Sequence, residues 1–201
     1  MNVFTAFRAA TLACVAAVLV GCATTTTEFN GVWVNPDAGN RVPVKNVLVV
    51  AINRDPTARR IYEDAMVTQF ATRGIKAQPS YRIFPDDVPP PPPVVEATVR
   101  QAGVDCVLVS RVMRETTDIR ITPGHSYGPA GFAGMWSGAY SVPPNVYTVQ
   151  KVVIETRLFS AKDFVVLWSA TSTTEPTSSM EKTIAEFGMT LTKALGDAKV
   201  L

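Results

Sequence analysis

Apolar residues in this chain are grouped into short runs whose length is typical of β-strands. Residues 46–52 read NVLVVAI, an unbroken Val-rich run that predicts a strand inside a sheet, covered on both faces. Residues 104–115 (VDCVLVSRVMRE) predict a second buried strand, which runs on through residues 116–122 (TTDIRIT). Two of the predicted strands are therefore central in the sheet.

A hairpin is predicted in the last third of the chain. Apolar and polar residues alternate in YTVQKVVIETRLFS (residues 147–160), which is typical of an antiparallel strand with one wet face. A short turn at residues 161–163 leads into FVVLWSATSTT (residues 164–174). These two runs are expected to pair with each other.

The first helix is predicted directly after the first strand. Asp55 is placed as its N-cap, Pro56 as its first helical residue, and Gly74 lies just past its end. Its apolar residues recur at helical spacing: Ile61, Tyr62, Ala65, Met66 and Phe70.

Two further helices are predicted. Residues 94–103 form a short one, with Glu96 and Arg100 spaced as an ion pair. Ser178 and Glu181 have capping-box spacing ahead of the last helix. The apolar stripe of that helix comprises Ile184, Phe187, Leu191 and Leu195.

The order of these elements indicates the fold class. Residues 75–84 predict a strand interrupted at Pro79, and the five prolines of residues 89–93 predict a stiff polyproline connector that spaces two elements rather than an SH3-type ligand. The resulting fold is α/β (α+β): a mixed sheet with about three helices packed on it, including a C-terminal antiparallel hairpin and helix. A chain of 201 residues has room for one such domain.

The N-terminus carries the pattern of an export signal. Residues 1–21 contain one basic residue, Arg8, followed by an apolar stretch too short to span a bilayer comfortably. The tetrapeptide Leu19-Val20-Gly21-Cys22 resembles the bacterial lipobox. That resemblance implies that the signal peptide is removed, that Cys22 is acylated, and that Ala23 after it directs the protein to the outer membrane.

The remaining chain is divided accordingly. Residues 22–45, rich in Thr, Asn, Gly and Pro, are predicted to be a lipidated tether, with a short edge strand at GVWV (residues 31–34). Residues 46–201 are predicted to be a single periplasmic domain. Its one remaining cysteine, Cys106, lies in an apolar run and is expected to be a small core residue.

The runs VLVVAI, ARRIYEDAMVTQFATRGIKA, AGVDCVLVSRV and VVIETRLFSAKDFVVLWSATSTT are similar to a periplasmic α/β domain. That domain is shared by the TolB N-terminal region, the curli secretion lipoprotein and the outer-membrane activator of penicillin-binding proteins. The similarity covers most of residues 45–196. The hairpin turn reads SAKDF and lacks the glycine usual in those families. Small uncharacterised bacterial outer-membrane lipoproteins are more similar still, and that kinship implies no activity.

Residues suited to catalysis are few. No nucleophile elbow, phosphate loop, H-E-x-x-H or C-x-x-C motif occurs, and His125 is the single histidine, so no metal or cofactor is expected. The adjacent carboxylates Glu63 and Asp64, like Asp86 and Asp87, are predicted to lie on solvated faces. A net charge of +2 without a basic stripe argues against nucleic acid as a partner.

The Gly-rich segment of residues 123–145 is too long for an ordinary connection. It is interpreted either as a disordered surface loop or as an aromatic contact surface. Insertion as a membrane hairpin is disfavoured by its prolines and glycines. The predicted partner-binding residues are Tyr127, Phe132, Met135, Trp136 and Tyr140.

The sequence therefore predicts a non-enzymatic binding or assembly module of the cell envelope. It would be anchored by lipid in the outer membrane of a Gram-negative-type bacterium and face the periplasm. Its expected partner is an envelope protein or peptidoglycan. Two alternatives remain open: an envelope hydrolase that uses His125, and a ring-forming subunit of an envelope channel.

Overall fold

The computed structural model of the protein describes residues 26–38, 44–85, 90–123, 144–177 and 179–201. These residues form a six-stranded mixed sheet and three α-helices, which confirms the predicted α/β (α+β) class. The strands are β1 (Thr26–Val34), β2 (Asn46–Ile52), β3 (Lys76–Pro79), β4 (Cys106–Thr122), β5 (Asn145–Ser160) and β6 (Val166–Glu175). The helices are α1 (Pro56–Ala71), α2 (Pro92–Gln101) and α3 (Met180–Asp197).

The sheet has a parallel part and an antiparallel part. Its strand order is β1-β6-β5-β4-β2-β3, in which β2 runs parallel to both β3 and β4. The pairs β4–β5, β5–β6 and β6–β1 are antiparallel. The predicted hairpin is therefore present as β5–β6, and the predicted central strands β2 and β4 lie side by side.

The predicted ends of α1 are confirmed. The side chain of Asp55 accepts a hydrogen bond from the backbone N–H of Thr57 at 2.8 Å, and Pro56 is the first helical residue. Gly74 follows with φ of +73°, a left-handed conformation that an L side chain rarely adopts. The chain thereby turns sharply from α1 into β3.

The N-terminus of α3 differs from the prediction by one residue. Ser179 is the N-cap, and its hydroxyl accepts from the backbone N–H of Lys182 at 3.3 Å. Ser178, the predicted cap, lies outside the described residues. A backbone hydrogen bond to the Glu181 carboxylate lowers the pKa of Glu181, and the hydrogen bond that the Ser179 hydroxyl donates to it lowers this pKa further.

The proline run and the strand before it are also corrected. The strand predicted over residues 75–84 is only β3, because a turn of 3-10 helix at Ser80–Arg82 follows Pro79 directly. Pro92 and Pro93 lie in the first turn of α2. Proline is tolerated there because the backbone N–H groups of the first turn have no acceptor within the helix. Part of the predicted polyproline connector is therefore helix.

The sheet includes residues 26–34, which lie in the segment predicted as a tether. Strand β1 pairs with β6 from Thr26 opposite Glu175 to Val34 opposite Trp168, with one bulge between Phe29 and Gly31. Phe29 packs edge-on against the buried ring of Trp168, with ring centroids 6.0 Å apart. Residues 26–34 of the predicted tether are thus an edge strand of the sheet, longer than the short strand expected at residues 31–34.

Helices cover the two faces of the sheet unequally. Helices α1 and α3 cover one face, where the main core contains Phe70, Trp168, Phe187 and the predicted core residue Cys106. Helix α2 covers the other face over a smaller cluster around Leu48 and Val107. The main core therefore lies between the sheet and helices α1 and α3.

Candidate functional sites

Strands β4 and β5 extend beyond the rest of the sheet as a two-stranded arm. Pairing of β2 with β4 ends at Arg111, and pairing of β6 with β5 ends at Val152. Residues 116–122 and 145–151 continue to pair only with each other within the described chain. At about 3.4 Å per residue, these seven pairs project roughly 20 Å from the body.

One face of the arm carries large aliphatic side chains near its tip. Ile119, Ile121 and Val146 are 69%, 64% and 60% exposed. Ile121 is paired directly with Val146, and Ile119 lies two residues along the same strand, so the three side chains share a face. We call this group the tip patch.

The opposite face of the arm is charged. Lys151 lies 2.5 Å from Asp118 and 3.9 Å from Glu175, and Arg120 forms a second ion pair with Glu175. The hydrogen bond from Lys151 lowers the pKa of Asp118 below its ordinary value. These contacts tie the arm to the end of β6, so that the arm has a defined orientation.

A second charged group lies closer to the body on the face that carries Trp33. Glu155 accepts from Arg111 at 2.5 Å and is also paired with Arg157. Burial opposes ionisation of Glu155, but the hydrogen bonds from Arg111 and Arg157 outweigh it and lower the pKa of Glu155.

The predicted site residues lie outside the part of the chain that the structure describes. This holds for Cys22, for His125, and for the predicted loop residues Tyr127, Phe132, Met135, Trp136 and Tyr140. The arm nevertheless carries the loop, since β4 ends at Thr122 and β5 begins at Asn145. The predicted contact segment thus starts and ends next to the tip patch.

A cavity of about 410 Å³ lies beside the base of the arm. Its floor is the sheet at the carboxyl end of β2 and the neighbouring residues of β4, where the pairing of these two strands ends, and its walls are the N-terminal halves of α1 and α3. Large apolar side chains dominate the lining: Ile52, Val112, Val152, Ile154, Met180, Ile184 and Phe187.

Hydroxyl groups at the cavity floor, and one buried beneath it, bond to one another. The hydroxyl of Tyr62 contacts Ser110 Oγ at 2.7 Å, and Ser110 Oγ lies 3.0 Å from Thr156 Oγ1. Burial raises the pKa of Tyr62 well above its ordinary value, although the hydrogen bond with Ser110 lowers it in part. Tyr62 is therefore a neutral phenol at physiological pH.

Glu63 contradicts the prediction that it lies on a solvated face. Its side chain is fully buried, and Oε1 accepts from the backbone N–H of Ala51 at 2.9 Å, from Ser80 Oγ at 2.7 Å and from Arg59 Nε at 3.2 Å. The N–H of Tyr81 donates to Oε2 at 3.0 Å. Its neighbour Asp64 is exposed, as predicted, and accepts from the Tyr81 hydroxyl.

Sequence reasoning missed the cavity and Glu63, for which no local signal exists. The arm had a signal: the predicted strand of residues 104–122 is longer than the runs predicted to lie beside it. In the described part of the chain, no helix is both long and apolar enough to cross a bilayer.

Comparison with known proteins finds no family model and no curated protein that matches the chain. Among solved structures, the PelC dodecamer from Paraburkholderia phytofirmans is 13% identical, with 83% of this chain and 94% of that chain covered and a TM-score of 0.45. Lipoprotein GNA1162 from Neisseria meningitidis is 16% identical, with 77% and 98% covered and a TM-score of 0.44. Likeness at this level does not bear on function, which is argued below from the chain's own residues.

Proposed function

We propose that this protein is an envelope lipoprotein, anchored through Cys22 in the outer membrane, that binds a periplasmic partner through the tip of its arm. It acts as a binding or assembly module and not as an enzyme. The observation that carries this proposal is the tip patch, because three adjacent aliphatic side chains are held in solvent on a projecting hairpin.

Exposed aliphatic groups on an arm are unfavourable unless something covers them. A two-stranded hairpin without further support is marginally stable in water, and grouped apolar side chains on a surface are typical of interaction sites. In this arm the ion pairs of Lys151 and Arg120 stabilise one face and leave the aliphatic face open. That arrangement supports recognition of a partner rather than a role in the protein's own core.

The chemistry of the buried polar groups also supports a binding role. The carboxylate of Glu63 already accepts four hydrogen bonds and has no exposed surface. The hydroxyls of Tyr62, Ser110 and Thr156 are occupied with one another. Groups used in this way stabilise the fold and are poorly placed to transfer protons to a substrate.

The test is photo-crosslinking in cells from a probe at Val146, with Tyr147 as the matched control. The two residues are adjacent on β5, both are exposed, and they lie on opposite faces of the arm. We expect a discrete adduct from position 146 and little from position 147, and mass spectrometry of the adduct would identify the partner. A third probe at Trp136 would examine the predicted loop residues.

Equal adducts from positions 146 and 147 would contradict recognition through the tip patch. Absence of any adduct from position 146, with the variant present at its normal level in membranes, would also contradict it.

A further inference from the structure

The cavity between the sheet, α1 and α3 is a separate site from the tip patch, although Gln150 at the base of the arm contributes to its rim. Its size lies in the range of small-molecule sites, which is about 300–1,000 Å³. It is built by side chains on strands and helices rather than on loops alone, for example Ile154 on β5 and Ile184 on α3. The site is therefore largely formed before any ligand arrives.

The polarity of the lining restricts the class of ligand. Tyr62 and Ser110 lie at the floor and bond to each other, and Ser110 is also hydrogen-bonded to Thr156, which is buried beneath it. Toward α3, Thr177 and Thr183 bond to each other, and Thr174 bonds to Thr27 on β1. Polar groups that are already paired offer little to a polar ligand.

A peptide or a sugar would bring donors and acceptors into this cavity. Burying such groups without partners is unfavourable, because each loses its hydrogen bonds to water. A hydrocarbon group has no such cost, and its binding is favoured by burial of apolar surface against Met180, Ile184 and Phe187. The lining therefore selects for an uncharged hydrocarbon ligand.

The volume sets the size of that ligand. A water-sized group occupies about 30 Å³, so a cavity of 410 Å³ has room for about a dozen carbon atoms. Asn53 and Gln150 at the rim are exposed and are suited to a neutral polar head group. Arg111 also lines the cavity, but its guanidinium is paired with Glu155, so its charge is already matched. We infer that the cavity binds one acyl chain of about a dozen carbons, with an uncharged head group at its rim.

The test is a titration of the full chain, kept soluble with a fluorinated surfactant, with monoacylglycerols of about 8 to 16 carbons. Each two added methylenes are expected to tighten binding about tenfold until the cavity is full, near a dozen carbons, after which affinity levels off. Methyl NMR signals of Ile154 and Ile184 should shift with saturation at one ligand per chain.

Matched variants locate the site. Ile184→Trp fills the cavity from α3 and is expected to weaken binding at least tenfold, whereas Met189→Trp, exposed on the same helix and outside the lining, should change it less than twofold. Ala58→Phe fills the cavity from α1 and gives the same test if Ile184→Trp does not fold, as checked by circular dichroism.

Affinity that keeps rising beyond 16 carbons, or equal weakening by the folded variants at positions 184 and 189, would overturn the inference, since both outcomes indicate adsorption elsewhere. A trileucine peptide that binds more tightly than the monoacylglycerols would overturn the ligand class. None of these results depends on the tip patch, whose residues do not line the cavity and which is tested separately by crosslinking from Val146.

Discussion

At the residue scale, Glu63 shows how strongly the environment decides the role of a side chain. It lies on α1 next to Asp64, yet its carboxylate is fully buried and links β2, α1 and the turn after β3. A buried carboxylate is stable only when it is paired and hydrogen-bonded, and Arg59 with three other donors satisfies that requirement. Glu63 is therefore a structural residue.

Replacement of this residue should destabilise the protein strongly. Glu63→Ala removes the acceptor of four buried or half-buried donors and is expected to lower the free energy of unfolding by about 3–5 kcal/mol. The matched control is Glu96→Ala, which removes an exposed pair with Arg100 at the same i,i+4 spacing and should cost about 0.5 kcal/mol or less. Urea denaturation measures both, and similar losses would contradict the structural role of Glu63.

At the scale of elements, close packing of α1 on α3 depends on Gly188. A Cβ atom at this position would lie 2.8 Å from Cγ of Gln69 and 3.1 Å from the sulfur of Met66. Glycine lowers the stability of a helix relative to alanine. Its presence at a buried position of α3 is explained by the short distance between α1 and α3, which leaves no room for a side chain. This contact brings together the two walls of the cavity.

Alanine should therefore have opposite effects at the two glycines of α3. Gly196→Ala meets only the mobile guanidinium of Arg73 at 3.3 Å and is expected to stabilise the protein by about 0.5–1 kcal/mol. Gly188→Ala should destabilise it by about 1 kcal/mol, because the clash with Gln69 and Met66 exceeds the gain in helix propensity. Thermal unfolding distinguishes the two, and stabilisation by both substitutions would show that the helices have room to separate.

At the scale of the whole molecule, the arm and the N-terminus belong to one sheet. Strand β1 starts at Thr26 and pairs with β6, while the arm continues from β4 and β5. Only three residues separate Cys22 from the start of β1. A lipid on Cys22 would thus hold the folded body close to the membrane surface, nearer than a flexible tether of residues 22–45 would allow.

Membrane association is accordingly expected to depend on one side chain. Cys22→Ser prevents acylation and should move most of the protein from the membrane fraction to the soluble fraction, since a serine hydroxyl does not replace the thiol as a lipid acceptor. Cys14→Ser, a matched control in the predicted signal peptide, should leave the distribution unchanged. A Cys22→Ser protein that still floats with membranes after carbonate washing would contradict lipid anchoring.

Local patterns in the sequence were sufficient for most of the elements. The strands at residues 46–52 and 147–160, the α1 cap at Asp55 and the turn at Gly74 depend on contacts within a few residues, so spacing alone predicted them. The same reasoning failed at Pro92 and Pro93, which are helical, and at residues 26–30, which read as linker. Strand β1 forms because it can pair with the edge of β6. Pairing with a strand that is distant in the chain cannot be inferred from the local composition of residues 26–30.

The sequence by itself determined the fold class, the order of the elements and the lipobox-like N-terminus that predicts the cellular location. Only the tertiary structure decided that Glu63 is buried, that β4 and β5 project as an arm with an aliphatic tip, and that a cavity lies beside α1 and α3. The physical reason is the distance along the chain over which each effect acts. Hydrophobic periodicity and helix capping depend on residues that are close together in the sequence. Burial of a charge and enclosure of a cavity depend on surfaces contributed by residues far apart in it.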